Sequence, residues 1–125
     1  MNVTMKSRLP GGLVIAIGVA AVLTLVPATA ASASTGSSCD VATTGCTTGS
    51  VPANSTYHRV NIDVESSSFC ASDYYVHDVR NGVTVASGRV GSGHQLVKTI
   101  TGLYSSYNLQ ITHSCFDALG VIDNN

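Results

Sequence analysis

Tyr107, Leu109, Ile111, His113 and Cys115 occupy alternate positions, with Asn108, Gln110, Thr112 and Ser114 between them. No other stretch of the chain limits its fold so tightly. Alternation of this kind is the period of a β-strand with one face in a core and the other in water. A helix would scatter the same side chains around its circumference. On this parity His113 and Cys115 point inward with Tyr107, His113 as a core-edge histidine.

The residues ahead of this strand lead to the expectation of an N-terminal export signal. Lys6 and Arg8 precede an apolar stretch, residues 11–26, which Pro27 closes. Ala28-Thr29-Ala30 and Ala31-Ser32-Ala33 then offer small-x-small cleavage sites. That order describes a secretory signal peptide over residues 1–33, removed after Ala30 or Ala33. The apolar stretch falls short of the roughly 20 residues of a bilayer-spanning helix, and small residues follow it where an anchor would carry positive charge. The expected location is extracellular.

Residues 34–125 keep seven acidic side chains against four basic ones, Arg59, Arg80, Arg89 and Lys98, for a formal charge of −3. Such a balance gives no footprint for nucleic acid or for an anionic membrane. A chain this short has a thin core, and disulfides help most in that size range. All four cysteines lie in the exported part, as an oxidising compartment favours. Three pairings are possible. Cys39–Cys46 with Cys70–Cys115 is preferred, because the first pair closes a local loop ahead of any strand signal and the second lies wholly within the strand-rich region. In the chain-entropy model these closures contribute about 2.5 and about 4 kcal/mol. Gaps of 6, 23 and 44 residues between successive cysteines do not match the paired short spacings of structural zinc.

Residues 34–55 are mostly Ser, Thr, Gly and Ala, with almost no apolar periodicity. The expectation is a flexible arm carrying one cysteine-closed loop, since such a composition buries too little surface to offset its ordering entropy. A plain linker is the simpler alternative, but a linker seldom needs an internal disulfide. Pre-closing the loop favours recognition, so Asp40, Val41, Thr43, Thr44, Gly45 and Thr47 are candidate partner contacts. The Asn54-Ser55-Thr56 sequon receives no role.

The third segment, residues 56–125, reads as a β-sandwich. Val60, Ile62 and Val64 alternate with Arg59, Asn61, Asp63 and Glu65. The same parity carried past Ser66 and Ser68 puts Cys70 on the core side, matching Cys115 and implying a bridge between two sheets, unless a bulge among the serines shifts it. Residues 74–79 and 83–90 flank Arg80-Asn81-Gly82, and Asn-Gly between β-rich runs is a strong hairpin signal. Residues 94–101 form another strand with Leu96 and Ile100 on one side, and a last short run passes through Leu119, Val121 and Ile122. No helix periodicity occurs outside the signal. Six or seven antiparallel strands are expected.

Thr99-Ile100-Thr101-Gly102-Leu103 followed by Tyr107-Asn108-Leu109-Gln110-Ile111 resembles the strand–corner–strand passage of fibronectin type III and immunoglobulin-like domains. There a leucine and a tyrosine pin the corner. The resemblance implies an all-β, immunoglobulin-like antiparallel sandwich. Only three residues separate Leu103 from Tyr107, fewer than the usual corner, and the chain has no tryptophan core marker.

Reactive chemistry is sparse. His58, His77, His94 and His113 are too far apart in sequence for a preformed metal pair. No Gly-x-Ser-x-Gly elbow is present, and paired cysteines leave no thiol nucleophile. Asp73 and Asp78 beside Tyr74, Tyr75 and His77 read as solvated strand charges; Gly88, Gly91 and Gly93 read as strand-end punctuation. No catalytic residue, metal or cofactor is assigned. Binding remains, with Tyr104 on the corner as an exposed contact and an open edge strand for β-augmentation.

The layout of the exported chain, an extension over 34–55 with the Cys39–Cys46 loop and a sandwich over 57–125 with Cys70 and Cys115, is similar to the small adaptor subunit of actinomycete umbrella toxin particles. That resemblance implies a secreted, non-catalytic adaptor in an extracellular antibacterial toxin particle. Its extension would enter the cleft of a lectin-bearing, trypsin-like subunit, and its sandwich would meet a ring-forming repeat scaffold. An alternative is a secreted inhibitor of a protease or other hydrolase, using the cysteine loop as a plug. The chain lacks the Trp-Arg-Tyr triplet of small actinomycete amylase inhibitors. A carbohydrate-binding module is disfavoured by the absence of tryptophan.

Overall fold

A computed structural model describes residues 35–125; the signal peptide expected over 1–33 lies outside them. The described chain is all-β and antiparallel, with strands β1 (Gly36–Asp40), β2 (Cys46–Thr47), β3 (Val51–Pro52), β4 (Arg59–Glu65), β5 (Ser72–Asp78), β6 (Thr84–Val90), β7 (Gln95–Thr101), β8 (Ser106–Thr112) and β9 (Leu119–Asp123). One sheet has the order β1-β9-β4-β7. The other has β2-β8-β5-β6, with β3 pairing further along β8. Of the six or seven strands expected in residues 56–125, six form, β4–β9. The closing strand β9 pairs β1 and β4, on the sheet opposite β8, whereas the immunoglobulin constant-type order would put it beside β8.

Alternation builds the core. Val60, Ile62 and Val64 of β4 face Tyr107, Leu109 and Ile111 of β8, joined by Tyr74, Val76 and Ile122, all buried. The corner into β8 is pinned as the pattern implies. Leu103 and Tyr107 are each 4% exposed, and the Tyr104 backbone N–H donates to Tyr107 Oη at 3.2 Å. In the β5–β6 hairpin, Gly82 takes φ 72°, a conformation glycine adopts without steric cost.

The flexible arm expected over 34–55 is not what its described residues form: β1 pairs β9 over five positions, while β2 and β3 both pair β8. Main-chain ladders need no apolar side chains, so composition under-reads an edge strand. Val41 and Val51, at 2% and 1% exposure, supply the anchoring burial. Polar side chains complete the attachment. Buried Asn124 accepts from the Thr35 N–H through Oδ1 and donates through Nδ2 to the Pro52 carbonyl. Gly49 N–H donates to Ser37 Oγ. Between β2 and β3, Thr48 N–H donates to Leu109 O at 2.9 Å, and Leu109 N–H donates to Thr48 Oγ1 at 3.0 Å.

The expected disulfides are both present, Cys39–Cys46 and Cys70–Cys115, but their roles are exchanged. Cys39 lies on β1 in one sheet and Cys46 on β2 in the other, so the short loop is the tie between strands of the two sheets. Cys70 and Cys115 lie in the β4–β5 and β8–β9 connections, where the chain passes between sheets. Both inward parities break before reaching them. Ser66 and Ser67 are buried in succession, which ends the alternation of β4. On the other strand, β8 stops at Thr112 and His113 turns out with φ 49°. His113 is therefore not a core-edge histidine: its side chain is 77% exposed, with Nδ1 3.2 Å from Asp73 Oδ2. Ser114 goes inward instead, with its Oγ 2.6 Å from Ser72 Oγ.

Candidate interaction surfaces

Strand β8 fixes the geometry of both surfaces. One end of the sandwich carries the β3–β4 and β7–β8 connections; the other carries the β1–β2, β4–β5 and β8–β9 connections. Seven residues of β8 separate the two ends by about 20 Å. Tyr104 precedes β8, while the Thr44 carbonyl accepts from the Ser114 N–H beyond it. Tyr104 and the Cys39–Cys46 loop therefore occupy opposite ends and cannot form one site.

The loop itself is held rather than loose. Val41 is core: its N–H donates to Ala118 O at 2.8 Å, and its carbonyl accepts from Asp117 N–H at 3.2 Å. That removes Val41 from the set of accessible contacts. At Gly45 an added Cβ would lie 2.6 Å from the main-chain oxygen of Ile111, so a glycine lets the chain pass close to β8. Asp40, Thr43, Thr44, Gly45 and Thr47 present exposed surface.

Beside this loop stands a pair the sequence reading did not single out. Phe69 and Phe116 are 69% and 50% exposed, with ring centroids 5.1 Å apart and planes inclined by 30°. They are the only two phenylalanines of the chain, and neither enters the core. Each adjoins a bridged cysteine, in the order Phe69-Cys70 and Cys115-Phe116. The disulfide thus brings the rings together across a long sequence separation. That mirrored order was the available signal.

The opposite end carries a second aromatic cluster. Tyr104, 75% exposed, stacks on His58 with centroids 4.4 Å apart. The Arg59 guanidinium lies 4.8 Å from the ring centroid of Tyr57, which is 64% exposed. A polar turn fixes this group. Asn54 Oδ1 accepts from the Thr56 and Tyr57 N–H groups, Asn54 Nδ2 donates to the Asn124 carbonyl, and His58 sits at φ 50°. The expected contact Tyr104 is exposed; its companions Tyr57, His58 and Arg59 come from a connection where strand reading is silent. Both polar atoms of the Asn54 side chain are engaged, in keeping with a structural role for the sequon asparagine.

Polar groups on the sheet faces are largely paired with one another. Arg89 Nη1 lies 3.0 Å from Asp73 Oδ1, and His77 lies 3.0 Å from Gln110 Oε1 and 3.1 Å from Thr84 Oγ1. Asp78 is not the solvated strand charge expected: it is buried, accepting from the Arg80 N–H and the Ser105 hydroxyl. Strands β6 and β7 are open edges and carry Arg89 and Lys98, charges of the kind that discourage edge pairing. Among the described residues no three His, Cys, Asp or Glu side chains are grouped to hold a metal ion, and no cavity opens into the surface. What the arrangement offers is two ends bearing exposed aromatic side chains on one disulfide-tied body. No protein-family model matches this chain, and no curated protein matches it.

Proposed function

We propose that this protein is a secreted, non-catalytic adaptor with two protein partners, one at each end of the sandwich. The observation that carries the reading is the pair of exposed aromatic clusters, Tyr57/His58/Tyr104 and Phe69/Phe116, at opposite ends. Exposed aromatic side chains are the usual anchors of interfaces, and two of them that far apart serve two partners without overlap. The two disulfides suit an oxidising, extracellular setting.

In its finer form the proposal places the protein in an extracellular antibacterial toxin particle, between a lectin-bearing, trypsin-like subunit and a repeat scaffold. Docking through a loose N-terminal extension is no longer part of it, because β1, β2 and β3 tie residues 36–52 to the two sheets. The exposed Asp40, Thr43, Thr44, Gly45 and Thr47 would contribute as a rigid loop next to the phenylalanines. A loop of that kind also suits the alternative, a hydrolase inhibitor, since a pre-closed segment loses little entropy on entering a cleft. Affinity capture from culture supernatant separates the two. An adaptor should retain one partner after Tyr104→Ala and the other after Phe116→Ala, and an inhibitor should block a co-secreted hydrolase stoichiometrically. Loss of all partners with either single variant would refute the two-ended reading.

A further inference from the structure

We propose that Phe69 and Phe116 form a two-ring wedge that enters an apolar recess, rimmed by basic side chains, on a different protein. This deepens the adaptor reading and rests on it. The rings are contiguous, are both exposed large apolar side chains, and are held side by side by the Cys70–Cys115 bridge. Placing both phenylalanines of a small domain outside its core forgoes burial that the fold would otherwise gain. Pre-positioning by the disulfide reduces the ordering cost of binding.

The charge around the wedge selects the occupant. Asp40 and Glu65 flank Leu119 in the ladder, Asp117 follows Phe116, and Asp73 sits on β5 at this end. The basic group facing them is Arg89, held on Asp73; His113 leans on the same carboxylate. His94 lies in the β6–β7 turn at this end. Arg59 and Arg80 belong to the other end, and Lys98 lies mid-strand opposite Ile62. An acidic rim repels an anionic lipid surface, which disfavours a membrane. A second copy of this chain would set Asp40, Glu65 and Asp117 against the same acidic rim, and like charges juxtaposed across an interface suppress that pairing. A separate protein with complementary positive charge around an apolar hollow satisfies both terms.

The test uses the full chain, secreted with its signal, carrying a benzophenone amino acid at position 69, 104 or 97 in turn. Val97 is 70% exposed on β7, away from both ends, and serves as the control. Irradiation of the supernatant should give, from position 69, an adduct with another protein in a segment holding apolar residues and Lys or Arg. The yield should fall about ten-fold in Glu65→Lys/Asp117→Lys, as expected for a charge-steered contact. Intact disulfides by mass and native near-ultraviolet dichroism show that each variant is folded. An adduct with lipid, with this chain itself, or with a segment lacking basic residues overturns the wedge. So does a yield indifferent to the charge reversal. An adduct from 104 but none from 69 overturns the wedge and spares the other end; none from either overturns the adaptor reading as well.

Discussion

Removing each disulfide in turn tests whether entropy or position governs its contribution. Cys39–Cys46 spans a sequence separation of 7 and Cys70–Cys115 one of 45. Closing loops of these sizes in the unfolded chain stabilises the fold by about 2.5 and about 4 kcal/mol, a difference of about 1.5 kcal/mol. A domain this size has about 5–13 kcal/mol in total, so both are large fractions. Cys39→Ala/Cys46→Ala should lower Tm by about 10–20 °C, and Cys70→Ala/Cys115→Ala by about 16–32 °C. Geometry adds a second expectation. In the first variant β1 remains paired to β9 along one edge only, so its amides should exchange faster while those of β4, β5 and β8 keep their protection. Calorimetry gives the order, and hydrogen exchange gives the location. If loss of Cys39–Cys46 costs as much as loss of Cys70–Cys115, chain entropy is not the governing term, and the tie between sheets acts in the folded state.

Three further outcomes follow from the packing. Deleting residues 34–55 should abolish the cooperative unfolding transition, because three strands and two buried valines leave with them; each valine alone contributes about 1.5–3 kcal/mol. Gly45→Ala should destabilise by about 1–3 kcal/mol in urea titration through its clash with the Ile111 main chain, while exposed Thr43→Ala should stay within about 0.5 kcal/mol. Ser72→Ala and Ser114→Ala should each cost about 1–2 kcal/mol by stranding a buried hydroxyl partner, and the double variant should cost less than their sum.

The sequence by itself determined which stretches of residues 56–125 are strands, where the hairpin and the pinned corner fall, and which cysteines pair. Each of those rests on information local to the chain: a period of two, an Asn-Gly turn, a leucine and tyrosine around a corner, loop length. Tertiary structure decided the rest. Serine, threonine and glycine in 36–52 carry no hydrophobic period, yet their backbone completes the edges of both sheets, because ladder bonding is a property of main chain meeting main chain. A positive φ at His113 and consecutive buried serines at 66 and 67 broke the inward count, which turned His113 outward and moved Cys70–Cys115 into the connections. Two phenylalanines far apart in sequence became one surface feature, and Tyr104 was parted from the cysteine loop by the length of β8. Alternation says which side of a strand is wet; only the assembled sheets say which wet residues stand together.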